Sequence, residues 1–219
     1  MLGTIRKKAM IGLGVFILVE AVWYILGSFK GEPTLLSKWI GEIEFWLILG
    51  AIYIVACKFE KQKFLLWQET KLKWHFYVLS VISVFLGAVI VGITVPLVFN
   101  VLGLTIQQEK LRSLVNFYCQ DKMLMVFSAV TAGVVEELLF RGYIMPRVEI
   151  LFKKGWIVVV VSALIFGLAH ASSLSLIGVV VPILIGLIFS YHYYKYRNIT
   201  ALIFVHFLID LASFINSCQ

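Results

Sequence analysis

The 219 residues are 61% hydrophobic and 14% charged, with a mean hydropathy of +0.98. A soluble domain carries about 25% charged and 45–50% apolar residues, so a soluble fold, a disordered chain and a small disulfide scaffold are excluded. The net charge of +7 invites a nucleic-acid reading, which its distribution rejects. Basic residues fall in short clusters between apolar runs, where lysines flank membrane helices, not along one binding face. Cys57, Cys119 and Cys218 are scattered without CxxC spacing. That pattern argues against a disulfide framework and a thiolate metal site.

The predicted fold class is all-α, a polytopic membrane helix bundle. Apolar runs long enough for a crossing cover roughly 9–27, 39–57, 75–99, 123–145, 156–171, 173–194 and 199–217. The first lacks a small-residue cleavage site and reads as a span, not a removed signal. The stretch Val101–Lys122 is mixed, with Gln107, Gln108, Glu109, Lys110 and Arg112 among apolar residues. It reads as a loop with a short interfacial helix, or as an eighth span. The chain divides into an N-terminal three-span region with this segment, 1–120, and a four-span core, 121–217. With the N-terminus inside, the inner segments hold 13 Lys and Arg and the outer ones 5, while Arg141 lies within a span. This positive-inside bias predicts a cell-membrane protein with a cytoplasmic N-terminus and an outer C-terminus.

Charges near the bilayer centre cost about 2.5–3.5 kcal/mol on insertion scales, so each intramembrane charge needs a reason. In the first two runs, Glu20 reads as a packing or cavity residue, and Glu42 and Glu44 as interfacial. His75 and His192 sit at span ends beside Lys and Tyr, as interface anchors. The fourth run holds Glu136, Glu137 and Arg141. Glu137 and Arg141 stand four apart, as a self-neutralising pair. Glu136 is left over, on a face with Ser128, Ala129, Ala132 and Gly133 that admits a close neighbour helix. The fifth run ends on His170, and the seventh carries His206, Asp210, Ser213 and Ser217 as one polar stripe. Three helices each turn an acid or imidazole inward. By helical rise, His170 matches the depth of Glu136, whereas His206 comes out shallower.

These residues spell EExxxR from Glu136 to Arg141, continuing LLFRG, then FxxxH from Phe166 to His170 and HxxxD from His206 to Asp210. In that order, on separate apolar helices, they resemble the CPBP family of CAAX prenyl endopeptidases and bacteriocin-processing or -immunity proteins, also called Abi. The resemblance covers roughly 121–217. It implies an intramembrane endopeptidase of the glutamate type, cleaving membrane-associated peptides or lipidated proteins without cofactor or metal. Glu136 is then the general base and His170 holds the water. His206 and Asp210 stabilise the oxyanion, with Glu137 and Arg141 in support. Asp210 stands where the family more often has Asn, and an ionised Asp has no donor to offer. It must be protonated there, or orient His206 instead.

Two other readings use the same residues. Two His, a Glu and an Asp also make a Zn²⁺ ligand set, although there is no HExxH and the ligands come from three helices. Alternatively, a non-proteolytic immunity or membrane-binding protein would use the polar cavity for specificity alone. A proton-coupled carrier is disfavoured, because the halves show no repeat of broken spans.

Overall fold

The computed structural model describes residues 2–28, 33–104, 115–171 and 175–218, and every regular element among them is helical. Helix α1 is Leu2–Ser28. Helix α2 is Leu35–Ile54, continued by a π-helical turn Val55–Glu60. Helix α3 is Trp74–Val101. Helix α4 runs Lys122–Phe152, its middle Ala132–Ile144 being π-helical. Then follow α5 (Gly155–Ala169), α6 (Ile177–Tyr196) and α7 (Ile199–Ser217).

Each apolar run of the sequence is thus a helix. Five helices, α2, α3, α4, α6 and α7, are long and apolar enough to cross a membrane. Helix α5 is apolar but only 15 residues, about 22 Å at 1.5 Å per residue, against a hydrocarbon core of about 30 Å. The mixed segment is helical over 115–120. Its central residues 105–114, on which an eighth span would depend, lie outside the described residues.

Caps mark where the chain enters its helices. The Asp121 carboxylate accepts from the Met123 and Leu124 amides at the start of α4. Those bonds, with the Trp39 indole at 3.0 Å, hold its carboxyl below the usual carboxylate range. Asn198 caps α7 through the Ala201 amide. At the other ends stand three non-glycine residues in the left-handed region: Lys61 (φ 53°), Lys153 (φ 54°) and Arg197 (φ 50°). They close α2, α4 and α6 respectively.

Small residues set the closest approaches. A Cβ on Gly133 of α4 would stand 2.8 Å from the Ile203 carbonyl oxygen and 3.0 Å from the Phe207 nitrogen of α7. Gly167 of α5 meets the α6 backbone at 3.0 Å in the same way. Backbone-to-backbone contact of this kind is what small residues allow between membrane helices. Helix α4 is the hub, touching α1, α2, α5 and α7.

At one end of the bundle, Glu60 and Arg147 form a buried lock between α2 and α4. Arg147 Nη2 donates to Glu60 Oε2 at 2.5 Å, its Nε donates to the same carboxylate, and its Nη1 donates to the Phe64 and Tyr143 carbonyls. The Tyr143 hydroxyl donates to Glu60 Oε1 at 2.7 Å, and the guanidinium lies 3.6 Å from the Tyr143 ring centroid. Beneath it, residues 61–73 fold across the entry to α7. Glu69 accepts from the Ile199 amide at 2.7 Å and the Tyr193 hydroxyl at 2.6 Å, and Trp67 stacks under Arg197.

Cys119 and Cys218 form a disulfide. This corrects the reading that the scattered cysteines argue against a disulfide framework. Spacing 99 residues apart in sequence hides a pairing that two helix ends on one side of the bundle create.

Candidate active site

The π-helical stretch of α4 carries Glu136, Glu137 and Arg141. An α-helix turns adjacent side chains about 100° apart. Bonding i to i+5 puts more residues in each turn and narrows that angle. Both glutamates consequently reach the same imidazole. His206 Nδ1–H donates to Glu137 Oε1 at 2.8 Å, while His206 Nε2 stands 4.0 Å from Glu136 Oε2. Gly133, one turn earlier, is where α7 comes close enough for this.

Glu136 Oε2 lies between two imidazoles, with His170 Nε2 at 3.9 Å and His206 Nε2 at 4.0 Å. It is buried and has no hydrogen-bond partner among the described residues. Gaps of that size suit a single bridging water. A water hydrogen-bonded at about 2.8 Å to two groups at a right angle separates them by about 4 Å. His170 is the C-cap of α5, and its Nδ1–H donates to the Phe166 carbonyl at 2.9 Å. That bond fixes the tautomer and turns Nε2 toward Glu136.

The sequence brackets Glu137 and Arg141 as a pair, and they are one, at 2.9 Å and fully buried. Glu137 does more than neutralise Arg141. It holds His206 Nδ1, the orienting position considered for Asp210. Asp210 instead faces the other nitrogen, its Oδ2 3.8 Å from His206 Nε2. Arg141 lies between two rings, 4.4 Å from Phe166 and 5.2 Å from Phe189. Phe166, the first residue of FxxxH, therefore packs on Arg141 and His170 at once. Arg141 Nε and Nη2 and Glu137 Oε2 are buried without a protein partner among the described residues. Buried polar groups of this kind take partners from water or ligand.

His206 reaches the same site as Glu136 and His170, with residues 61–73 packed on the start of α7 through Glu69 and Thr70. Sequence reasoning also missed an N-terminal contributor. Glu42 of α2 accepts from the Ser128 hydroxyl at 2.6 Å and lies in electrostatic range of Glu136. The reading of it as interfacial overlooked that Ser128 and Thr131 offer hydroxyls on the facing side of α4; Trp46 donates to Thr131 there at 3.0 Å. Glu20 of α1 interacts electrostatically with both Glu136 and His170. Among the described residues no group of three or more His, Cys, Asp and Glu side chains is arranged to hold a metal ion.

Residues 120–212 match the family model described as type II CAAX prenyl endopeptidase, Rce1-like. The matched segment holds all three motifs, which lie on α4, α5 and α7. No curated protein and no solved structure matches the chain.

Proposed function

From a chain whose residues 120–212 are Rce1-like, we propose an intramembrane endopeptidase that hydrolyses a membrane-associated peptide with a glutamate-activated water. The observation that carries this is the position of Glu136 Oε2 between His170 and His206, at one-water distances from both. Glu136 takes a proton from that water as its oxygen adds to the scissile carbonyl carbon. His170, fixed through Nδ1, holds the water through Nε2. An imidazolium at His206 donates through both nitrogens, Nδ1–H to Glu137 and Nε2–H to the developing oxyanion. A donor preset at an oxyanion lowers the barrier by about 2.7–4 kcal/mol. Asp210, beside the same Nε2, balances that cation.

The matched family supports a CAAX-type protease acting in a membrane, so the substrate class is a lipidated or membrane-embedded peptide. We place the N-terminus in the cytoplasm. The Lys and Arg distribution supports this, as does the disulfide, since both cysteines then face the compartment where disulfides persist.

Comparative peptidomics of membranes from cells with wild-type protein and with Glu136→Ala tests the reading and identifies the substrate. Peptides that accumulate uncleaved only in the variant are the expected result. Identical peptide sets would leave a binding role. With purified protein, cleavage is expected to survive EDTA and 1,10-phenanthroline and to persist in Asp210→Asn. Chelator-sensitive cleavage restored by Zn²⁺ and lost in Asp210→Asn would establish the metalloprotease instead, because a neutral amide is a poorer ligand for such an ion.

A further inference from the structure

Helix α1 lies outside the Rce1-like segment, yet it runs antiparallel to α4 in a fixed register. Arg6 donates to the Leu151 carbonyl at 2.9 Å. Gly12 packs against the Tyr143 hydroxyl. Phe16, fully buried, meets Phe140 edge-on with ring centroids 5.8 Å apart. From Arg6 to Phe16 α1 advances ten residues while α4 goes back eleven, from Leu151 to Phe140. The next turn pairs Glu20 with Glu136. The electrostatic interaction of Glu20 with Glu136 and His170 agrees with that register. Phe140 in turn packs on Phe166, and Phe166 on His170. One aromatic row therefore runs from α1 to the imidazole, with Glu20 a turn beyond its first ring.

We propose that Glu20 is a second catalytic residue, the acid that protonates the departing amine. The register puts Glu20 and Glu136 on the facing sides of α1 and α4, and peptide hydrolysis needs one group to take a proton and another to give one. The inference rests on the reading of Glu136 as base. Water adds its oxygen to the carbonyl carbon and gives one proton to Glu136. The tetrahedral intermediate collapses, the C–N bond breaks, and the nitrogen takes a proton from the Glu20 carboxyl. Glu136 then returns its proton to Glu20. Water is divided as hydroxyl to the acyl carbon and hydrogen to the amine, and the pair ends with the single proton it began with.

Leaving-group chemistry tests this directly. An amide nitrogen must be protonated to leave, whereas 4-nitrophenolate leaves as an anion at neutral pH. The probes are N-acetyl-S-farnesylcysteine extended by three amide-linked residues, and N-acetyl-S-farnesylcysteine 4-nitrophenyl ester. In detergent-purified full-length protein, Glu20→Gln is expected to lower amide cleavage by about 10²–10⁴-fold, the usual contribution of a general acid. Ester cleavage should stay at the wild-type rate. Glu136→Gln should lose both and so sets the background. Unchanged amide cleavage in Glu20→Gln makes Glu20 a packing residue and overturns the proposal. So does equal loss of both activities in a variant with the wild-type melting temperature, which would make Glu20 a positioning residue for Glu136. If Glu20→Gln does not fold, Glu20→Asp decides by the same amide-to-ester ratio. Wild-type protein that cleaves neither probe overturns the peptidase reading itself, and this inference with it.

Discussion

Helix α4 buries two arginine–glutamate pairs six residues apart, and they are built differently. Arg147 spends every guanidinium nitrogen: two on Glu60, one on the Phe64 and Tyr143 carbonyls. Arg141 makes one bond to Glu137 and, among the described residues, leaves Nε and Nη2 without a partner, as Glu137 leaves Oε2. Both arginines are fully buried, so burial alone does not separate them. Satisfaction does. A closed network fixes α2 on α4 and has no capacity left for chemistry. An open one, shared with His206, keeps donors and an acceptor for groups that come and go. Buried polar atoms without a partner among the described residues also occur at Ser162, Ser190, His192 and Arg197, but only here do they sit on a buried ion pair that shares a carboxylate with an imidazole.

The largest effect expected from that contrast is on turnover. Glu136→Gln keeps the shape of the side chain and removes the base, so cleavage should fall by about 10²–10⁴-fold with the melting temperature unchanged. A folded variant that still cleaves would move the base elsewhere. Next come the arginines. Arg147→Ala and Arg141→Ala each strand a buried carboxylate, at a cost of about 3–5 kcal/mol, read as lost melting temperature in detergent. Double variants then sharpen the comparison, because replacing both partners removes the stranded charge. Glu60→Met with Arg147→Met should recover both stability and turnover. Glu137→Gln with Arg141→Met should recover stability only, since His206 has lost its carboxylate. Equal recovery of turnover in both would erase the distinction between lock and site.

A smaller loss, about 2–4 kcal/mol, is expected from Cys119→Ser or from reductant, which frees the end of α7 from the segment preceding α4. It should leave the 60–147 lock untouched, as tyrosine protection near Tyr143 would report. The smallest effect lies at the Asp121 cap. Its carboxyl titrates below the unfolded value, so its contribution is present above about pH 4. That contribution is lost as pH falls through the lower folded value. Asp121→Asn should flatten the acid limb of the stability–pH curve while leaving neutral stability nearly unchanged.

The helices were legible because hydrocarbon enforces them: runs of about 20 apolar residues have few other folds. Glu136, His170 and His206 were legible for the converse reason, being polar where lipid forbids it. The lock was not. Arg147 counts in the sequence as one more inner-face charge and Glu60 as a neighbour of Lys58 and Lys61, and counting charges by loop conceals that two of them cancel. Glu42 was undervalued because its partner, Ser128, is supplied by a helix 86 residues away. The double role of Glu137 depended on π-helical winding, which a 100° wheel does not anticipate. The disulfide needed the ends of the chain brought together.

The left-handed residues Lys61, Lys153 and Arg197 end three helices at one end of the bundle, as the contacts of Arg197 with Glu149 and of Arg147 with Glu60 show. Glycine would hold that conformation without the steric penalty of about 1–2 kcal/mol that a side chain adds. A cation there returns only about 0.3–1 kcal/mol through the helix dipole. The mature fold therefore gains little from its choice. The ribosome-bound chain gains more, because each turn that reverses the polypeptide also displays a positive charge to the insertion machinery. The glycine variants should accordingly make a protein that is harder to melt and more often threaded the wrong way round, a compromise settled during synthesis and carried by the finished molecule for good.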